Sequence, residues 1–509
     1  MSIRKTPAGR QQRVLVIGAG VSGLATAIRL RHAGFDVEIL EKNDEPGGRM
    51  GVIREGGYQF DLGPTIVMMP EEYRVIFRLA GVDPDDYIPM ERLDPVYTVH
   101  FRDGTVHRAS TELTSLIATL ESSGFEAAEG YLAYMADVYK RYLVAKDHFI
   151  TRSFRKPTDF WNPKTLAAGV KLRTFDSAWH SVSKYVKDEK LRELLSFQTL
   201  YIGVSPYNGP SIYTIIPMIE LVYGVWFIKG GMFAMARGME RLFLEMGGTI
   251  RYQTAAERIV IENGRAVGVG TAKGMLPADQ VVCSADFPYA LESLLPDGFK
   301  QQKYRKGKTE QLDYACSCYM MYLGVNRRDF PGLSVHNLAF SGDFEGNIRD
   351  IFEGRFPADP SLYVYAPALL DPSLAPEGSL GLYVLVPVPN RKDGRVDWTD
   401  ERTRAEIREK VYAQIEQITP LKGFRSAVEA ERVYTPVDFE QDFNARFGAT
   451  FGLRPTLLQS NHFRPQAKAR ACEGLYFAGS SAHPGAGVPI VLMSAKIAAQ
   501  ELMRDVDGQ

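Results

Sequence analysis

The sequence predicts an α/β protein with a Rossmann-like nucleotide-binding domain, and three observations lead to this expectation. A short apolar run at 14–17 is followed by a glycine-rich turn and by a helix-like stretch at 24–32. A second apolar run, 37–40, ends directly at an acidic residue. A further strand–glycine–loop–helix unit occupies 475–503, at the other end of the chain. Buried strands that alternate with helices are typical of a parallel sheet.

Composition is that of a large globular protein. The 509 residues are 45% hydrophobic and 24% charged, which excludes collagen-like and disordered classes. The formal net charge of −1 argues against a nucleic-acid partner, because such proteins normally carry a basic surface. The cysteines, at positions 283, 316, 318 and 472, fit neither a disulfide framework nor a zinc-binding spacing. We therefore expect a reducing compartment and no metal site.

The amino end also has features of a secretory signal peptide. Arg4, Lys5 and Arg10 precede an apolar run, and 25–27 imitates a small-residue cleavage site. Three glycines would interrupt such a run, and a second strand at 37–40 continues the α/β pattern. We therefore interpret this region as part of the fold.

The glycines of the turn have the spacing G-x-G-x-x-G. Gly18 permits the tight turn, Gly20 lets a pyrophosphate approach the backbone, and Gly23 lets the helix pack closely on the strand. An anion then lies at the positive end of the helix. Glu41 follows Gly23 by about the distance expected of a ribose-hydroxyl acceptor, and its charge argues against NADP. Together these residues predict a dinucleotide site.

A second glycine pair follows Glu41. Gly47 and Gly48 would admit a close ligand approach, and Arg49 offers a cation to a pyrophosphate or a flavin ring. Alternatively, the two glycines form only a surface turn and Arg49 is a solvated charge.

The carboxyl-terminal unit contains a glycine–proline loop. A buried strand ends at Gly479, the loop carries Gly485, and a helix follows from about Val488. His483 lies in the same loop and could act as a base, although Pro484 beside it favours a structural or flavin-contact role.

The middle of the chain supplies a third piece of the nucleotide domain. Asn263-Gly264 between apolar runs indicates a hairpin, and 281–286 reads as another buried strand. We therefore expect a cofactor domain assembled from 12–75, 245–300 and 470–507. The remaining segments, 76–244 and 301–469, would form a substrate and membrane-associated domain.

The segment 194–219 contains no Asp, Glu, Lys or Arg. Its length suits a membrane span, but its glycines and prolines would leave backbone groups unsatisfied in lipid, so we reject a transmembrane helix. The segment 194–228 is either ordinary core or an apolar channel or membrane entrance. Glu220 is a candidate catalytic or orienting carboxylate; alternatively, it pairs with Lys229 or Arg237.

Several motifs resemble those of one family along nearly the full chain. They are EKNDEPGGR (41–49), DLGPTIVMMP (61–70), SFQTLYIGVSP (196–206), FIKGGM (227–232), DPSLAPEG (371–378) and HPGAGVPIVL (483–492). They resemble the bacterial carotenoid desaturases, within the wider group of flavin-dependent amine oxidases. The sequence is most similar to the thirty-carbon branch, the 4,4′-diapophytoene desaturases.

This resemblance implies a fold, a cofactor and a reaction. It implies an FAD-binding domain of the amine oxidase type, a mixed β-sheet substrate domain and a helical membrane-associated region. Gly63, Pro64 and Thr65, in the second motif, would join the flavin-binding residues. The enzyme would insert successive double bonds into a linear apolar polyene of thirty carbons, with oxygen or a quinone as electron acceptor. It would work in the cytoplasm, attached peripherally to the inner face of the cell membrane.

Other functions remain open at this point. A forty-carbon phytoene desaturase, a carotenoid isomerase and a flavin amine oxidase share the motifs. An escort protein that binds lipid without a cofactor would represent a different class, and the predicted flavin site argues against it.

Overall fold

The computed structural model describes residues 12–121, 124–173 and 175–508. Arg4, Lys5 and Arg10, considered above as part of a signal peptide, lie outside these residues. The strands of the described residues are β1 (Arg13–Ile17), β2 (Asp36–Leu40), β3 (Val52–Glu55), β4 (Tyr58–Asp61), β5 (Met90–Arg92), β6 (Tyr97–His100), β7 (Val106–Ala109), β8 (Trp226–Ile228), β9 (Thr249–Arg251), β10 (Arg258–Glu262), β11 (Arg265–Thr271), β12 (Gly274–Pro277), β13 (Gln280–Cys283), β14 (Lys300–Gln301), β15 (Tyr304–Arg305), β16 (Ser317–Val325), β17 (His336–Ala339), β18 (Leu362–Tyr365), β19 (Leu380–Val388), β20 (Val428–Tyr434) and β21 (Leu475–Phe477).

Helices lie between many of these strands, together with short 3₁₀ and π segments. The α-helices are α1 (Val21–His32), α2 (Pro70–Ala80), α3 (Leu113–Glu121), α4 (Phe125–Ala145), α5 (Pro157–Phe160), α6 (Pro163–Lys171), α7 (Ala178–Ser183), α8 (Glu189–Leu194), α9 (Ile215–Tyr223), α10 (Met232–Glu245), α11 (Phe287–Tyr289), α12 (Phe344–Phe352), α13 (Glu401–Ile418), α14 (Pro436–Phe443) and α15 (Val488–Asp507).

The nucleotide-binding part contains a five-stranded parallel sheet in the order β21-β13-β1-β2-β9. Alternate residues of its strands face opposite sides, so Val14 and Val16 pack under α1, α10 and α15. Leu15 and Ile17 face the other core, which the small sheet β10-β11-β12 covers. Because both faces are covered, every strand of this sheet needs apolar residues on both sides. This explains the continuous apolar runs in the sequence.

The hairpin expected at Asn263-Gly264 is present. The turn joins β10 to β11, which pair antiparallel, and both residues have the positive φ that such a turn requires.

A second, seven-stranded sheet has the order β20-β16-β19-β18-β17-β6-β7. All neighbours are antiparallel except β17 and β6, so the expectation of a mixed sheet is confirmed. Its outer face packs against α13 through residues such as Val384 and Val411. Its inner face carries tyrosines, methionines and leucines that lie in the largest core of the molecule. This inner face forms one wall of the cavity described below.

The charge-free segment 194–219 is folded into short pieces. It contains a 3₁₀ helix at Phe197–Ile202, another at Ser211–Thr214 and the first turns of α9. Among the described residues, we find no helix with the length and apolar character needed to cross a bilayer. A continuous helix does not form here because prolines and glycines interrupt the segment, as the sequence indicates.

Candidate active site

One large cavity, of about 1060 Å³, extends from the carboxyl ends of the parallel strands to the inner face of the seven-stranded sheet. Most residues singled out in the sequence line it together, although they come from distant parts of the chain. They are Gly18, Gly20, Glu41, Gly47, Gly48, Arg49, Gly63, Pro64, Thr65, Gly479, Gly485 and Val488. The position, at the carboxyl edge of a parallel sheet, is where open α/β folds bind ligands. We call the part of the cavity lined by these residues the cradle.

Gly23 has a different structural role from the other glycines of the turn. It lies in α1, and a Cβ atom added to it would come within 1.9 Å of the carbonyl oxygen of Gly18. A side chain is therefore excluded by the protein itself. At Gly20, the nearest contact that an added Cβ would make with the described residues, its chain neighbours apart, is the Gly47 carbonyl oxygen at 3.9 Å, so this glycine leaves open space in the cradle.

Glu41 is buried at the end of β2 and reaches back to the glycine turn. Its Oε2 accepts a hydrogen bond from the Ala19 amide at 2.7 Å, and its Oε1 accepts one from the Asn43 amide at 2.9 Å. Its carboxylate is thus fixed in the cradle by main-chain donors.

The pair Gly47-Gly48 packs against the same turn. The Gly47 amide donates to the Ala19 carbonyl oxygen at 2.9 Å, and Gly47 forms an isolated bridge with Gly20. The two glycines therefore line the cradle instead of forming a detached surface turn.

Arg49 is held on two sides. Its Nη1 donates to Ser480 Oγ at 2.8 Å, and its Nη2 lies 3.2 Å from Asp286 Oδ1. Asp286 also accepts a hydrogen bond from Ser481 Oγ at 2.6 Å, while its Oδ2 has no partner among the described residues. This buried carboxylate orients a guanidinium into the cavity. It was not singled out from the sequence, although it lies three residues after the end of the strand β13.

Tyrosines from the seven-stranded sheet hold the segment that contains Gly63 and Thr65. The hydroxyl of Tyr383 donates to the Gly63 carbonyl oxygen at 2.6 Å, and the hydroxyl of Tyr363 lies 2.7 Å from Thr65 Oγ1. The cradle and the inner sheet face are thus joined by side-chain hydrogen bonds at their common edge.

His483 is buried beside the carboxyl-terminal loop, and its Nε2 donates to the Arg152 carbonyl oxygen at 2.8 Å. Burial lowers the pKa of this imidazole to about 4. Pro484, Gly485 and Val488 line the cavity, whereas His483 itself is not among the described residues that do so. The geometry favours its structural interpretation.

The wall opposite the cradle is almost entirely apolar or aromatic. The inner faces of β16, β17, β18 and β19 contribute residues without a charged side chain: Cys318, Met320, Leu338, Tyr363, Tyr383 and Leu385. The segment 194–228 contributes a second set: Phe197, Leu200, Tyr201, Ile202, Pro210, Ile212, Tyr213, Ile215, Ile216 and Ile219. This segment therefore lies along the length of the cavity.

Glu220 is fully buried behind this wall. Its Oε2 accepts a hydrogen bond from Gln198 Nε2 at 3.1 Å, and the hydroxyls of Tyr97 and Tyr201 are its other polar neighbours. Burial raises its pKa to about 8, because desolvation disfavours the charged form more than these neighbours stabilise it. Glu220 is not among the described residues that line the cavity.

The suggested ion pair of Glu220 with Lys229 or Arg237 does not form. Arg237 instead forms ion pairs with Glu240 and Glu45. The 3₁₀ helix at Ser211–Thr214 leads into α9, which directs Glu220 toward Gln198. The spacing of residues in the sequence could not reveal this contact.

The cavity reaches the surface beside α5 and α6. Its lining includes apolar side chains that are also exposed: Trp161 (54%), Leu166 (50%), Phe175 (91%), Leu457 (40%) and Leu458 (68%). We call these five residues the mouth surface. Large exposed apolar side chains that adjoin one another indicate an interaction surface.

Comparison with known proteins identifies the family. The family of flavin containing amine oxidoreductases matches residues 21–503. The chain is 46% identical over 496 residues to a 4,4′-diapophytoene desaturase (4,4′-diaponeurosporene-forming) of Staphylococcus haemolyticus, covering 97% of this chain and 99% of that protein. It is 45% identical over 498 residues to the protein of the same name from Staphylococcus aureus strain Newman, with the same coverage.

Solved structures share the fold at lower sequence identity. An oxidoreductase from Methanosarcina mazei has a TM-score of 0.63 and 17% identity, covering 97% of this chain and all of that one. Cyclohexylamine oxidase from Brevibacterium oxydans has a TM-score of 0.58 and 14% identity, covering 98% and 100%.

These matches confirm the predicted Rossmann-like flavoprotein fold and FAD as the cofactor. The chain belongs to the flavin containing amine oxidoreductase family and, within it, to the group of the 4,4′-diapophytoene desaturases.

Proposed function

We propose that this protein is an FAD-dependent desaturase that converts 4,4′-diapophytoene, a linear thirty-carbon polyene, to 4,4′-diaponeurosporene or a more desaturated product. The observation that carries the proposal is that one cavity joins the cradle to a long apolar wall. The 45–46% identity to desaturases of this name supports the same substrate.

The cradle has the groups that FAD requires. The glycine turn offers main-chain amides at the start of α1 to the pyrophosphate, and Glu41 is placed to accept the ribose hydroxyls. Arg49 and the loop with Gly479, Gly485 and the start of α15 would face the flavin end. When bound, the flavin supplies the acceptor for a hydride from the substrate.

The protein's own contribution is to hold a CH₂–CH₂ unit in a dry position beside the cradle. The wall from β16 to β19 and the segment 194–228 enclose an apolar chain without offering it a charge. In this proposal, 12–75, 245–300 and 470–507 bind FAD, and the other segments handle the substrate. Oxygen or a quinone would receive the electrons. Any catalytic role of Glu220 would be exerted through Tyr201, which does line the cavity.

A hydrocarbon of thirty carbons resists leaving lipid by about 20 kcal/mol, at roughly 0.8 kcal/mol for each CH₂ group. Diffusion through water would therefore be too slow to supply the enzyme. We infer that the mouth surface, centred on Trp161 and Phe175, lies against a membrane and admits substrate from it.

The charge around the mouth surface supports this inference. Residues 140–173 contain nine Lys or Arg against two Asp, in a chain whose net charge is −1. Three of these cations, Arg141, Arg155 and Arg173, form ion pairs with carboxylates outside this range, so the lysines carry most of the argument. Lys156, Lys164 and Lys171 are among the exposed ones. Basic residues beside exposed apolar side chains suit anionic lipids, which are concentrated on the cytoplasmic leaflet. We therefore propose peripheral attachment to the inner face of the cell membrane.

Purified protein with liposome-embedded 4,4′-diapophytoene tests the function directly. We expect new conjugated double bonds, detected as a visible absorption band and by mass loss of two hydrogens per step. A parallel assay with phytoene in the liposomes tests the forty-carbon alternative. A product of unchanged mass whose double bonds have changed between cis and trans would indicate an isomerase. Hydrogen peroxide released with amines, and none of these products from polyenes, would indicate an amine oxidase and refute the proposal.

A further inference from the structure

The hydroxyl of Tyr363 occupies an unusual position in the apolar wall. Tyr363 lies on β18 and lines the cavity. Its Oη is 2.7 Å from Thr65 Oγ1 and 2.7 Å from His336 Nδ1, so it has one polar partner on each side. A hydroxyl that accepts from Thr65 can donate its own proton to His336.

This hydroxyl lies where the cradle meets the substrate wall. Thr65 belongs to the cradle, and Tyr383, on the neighbouring strand β19, donates to the Gly63 carbonyl oxygen. We place the substrate carbon that would face the flavin at this edge, because these hydrogen bonds join the cradle to the substrate wall here. Tyr363 is therefore the hydroxyl whose partners connect both sides of the expected reaction position.

His336 gives Tyr363 a proton acceptor inside the protein. It is buried on β17, stacked 5.0 Å from the ring of Tyr365, and its Nε2 has no hydrogen-bond partner among the described residues. Burial lowers its pKa to about 3, so the imidazole is neutral and one ring nitrogen carries no proton. A buried ring nitrogen without a partner is costly, so its presence calls for a functional explanation.

We propose that Tyr363 is the group that accepts the proton lost by the substrate, with His336 as its relay. This inference rests on the proposed desaturase function. One C–H bond of the substrate would break, and its hydrogen would leave with both electrons as a hydride, for which FAD, when bound, would supply the acceptor. The proton of the adjacent C–H bond passes to Tyr363 Oη while the proton of Tyr363 passes to His336 Nδ1. The electron pair left on carbon becomes the second bond of the new C=C.

The relay needs little base strength. Loss of a hydride leaves an allylic cation, which is a strong acid, so a neutral imidazole is sufficient as the final acceptor. The imidazolium then gives up its proton readily, because its buried surroundings disfavour the charge. Reoxidation of the cofactor by the proposed acceptor, oxygen or a quinone, would consume that proton.

Tyr363→Phe tests the proposal, because it removes only the hydroxyl. We expect unchanged FAD content and melting temperature, a kcat about 100-fold lower, and little change in KM. We also expect a larger deuterium isotope effect at the carbon that loses the proton. His336→Phe should have a comparable effect, and the double variant should be no slower than the slower single variant, because the two residues act as a unit.

Tyr365→Phe is the matched control, since Tyr365 stacks on His336 but is not among the described residues that line the cavity. Thr65→Val separates anchoring from proton transfer, because it releases the hydroxyl from the cradle but leaves His336 in place. A second readout is independent of turnover and uses NMR of apoprotein with labelled histidine. The chemical shift of His336 should remain that of a neutral imidazole down to pH 5, and this chemical shift should change in the Tyr363→Phe variant.

Two results would overturn the relay. One is a Tyr363→Phe variant within threefold of Tyr365→Phe in kcat; the other is multiplicative losses in the double variant. If the wild-type protein desaturates 4,4′-diapophytoene while either result is found, the proposed function stands and the relay is wrong. If the wild-type protein does not desaturate any polyene, both proposals fail.

Discussion

Glu41 Oε2 accepts a hydrogen bond from the Ala19 amide at 2.7 Å, so the carboxylate at the end of β2 is tied to the glycine turn. The side chain is buried, and the Asn43 amide holds its other oxygen. The carboxylate that we propose as the ribose acceptor is thus already oriented by the fold, and such pre-orientation would reduce the ordering cost of binding the cofactor.

We expect Glu41→Lys to lose FAD, because it replaces an oriented hydrogen-bond acceptor by a buried cation that opposes the Ala19 N–H. The ratio of absorbance at 450 nm to that at 280 nm in the purified protein measures bound flavin. Glu262→Lys, an exposed charge reversal on β10, is the control and should keep full flavin content. Equal flavin in the two variants would contradict the ribose assignment.

Two alanine substitutions in the glycine turn should have different consequences. At Gly23 the new Cβ would lie 1.9 Å from the Gly18 carbonyl oxygen, so Gly23→Ala should destabilise the protein and yield little soluble product. At Gly20, apart from the two neighbours in the chain, no described residue would come closer than 3.9 Å to the new Cβ, so Gly20→Ala should fold but bind FAD at least tenfold more weakly. Circular dichroism and flavin titration distinguish the two cases. Full FAD affinity in folded Gly20→Ala would show that the pyrophosphate lies elsewhere.

These local features were predictable from the sequence because the residues concerned are close together in the chain. The turn and the strands β1 and β2 follow from glycine spacing and apolar runs. Asp286 could have been suspected from its position three residues after the end of β13. In contrast, Thr65 and Tyr363 are 298 positions apart, and their contact depends on how the seven-stranded sheet packs on the cradle. No local pattern encodes such a contact.

The position of the mouth surface could not be predicted from the sequence either. The longest charge-free segment suggested 194–228 as a possible membrane entrance, but most of its apolar side chains face the cavity and are enclosed. The exposed large apolar residues that also line the cavity come instead from a basic stretch around Trp161 and from Leu457-Leu458, whereas Val222 and Tyr223, the exposed ones within 194–228, are not among the described lining residues. Only packing determines which apolar side chains remain uncovered.

The mouth surface can be tested by replacing Trp161 and Phe175 together with Ser. We expect binding to vesicles that contain anionic lipid to fall at least tenfold, since two large apolar contacts are lost. Co-sedimentation with vesicles at low and high salt measures this. Val106→Ser with Met275→Ser, which removes exposed apolar side chains that do not line the cavity, should bind as the wild type does. Equal loss in both pairs, or no binding by the wild type, would refute the docking surface.

The positive charge around the mouth predicts a lipid preference. Lys156→Glu with Lys164→Glu should reduce the binding to anionic vesicles by about 2 kcal/mol or more, at roughly 1 kcal/mol per basic residue near the surface, while binding to zwitterionic vesicles should hardly change. Raising the ionic strength should weaken binding of the wild type more than of the variant. A variant that keeps its preference for anionic lipid would place the electrostatic contact elsewhere on the protein.

Glu220 provides a prediction on pH and stability. Its folded pKa is about 8, whereas a glutamate in an unfolded chain titrates near 4.3. Between these values the folded protein holds a proton that the unfolded chain does not, so the free energy of unfolding should fall as the pH rises from about 4.3 to 8. Glu220→Gln removes this dependence, because an amide cannot ionise. Thermal melts at pH 5 and pH 8 should therefore show a smaller loss of stability for the variant than for the wild type.

The same variant decides whether Glu220 takes part in catalysis. At pH 7 the carboxyl is mostly protonated, so the uncharged amide of Gln is close to it in both size and charge, and Gln198 remains available as a partner. We expect Glu220→Gln to retain at least a third of the wild-type kcat at that pH. A fall of tenfold or more at unchanged FAD content would show that the carboxyl itself handles a proton. It would also make Tyr201, and not Tyr363, the side chain through which that proton reaches the protein interior.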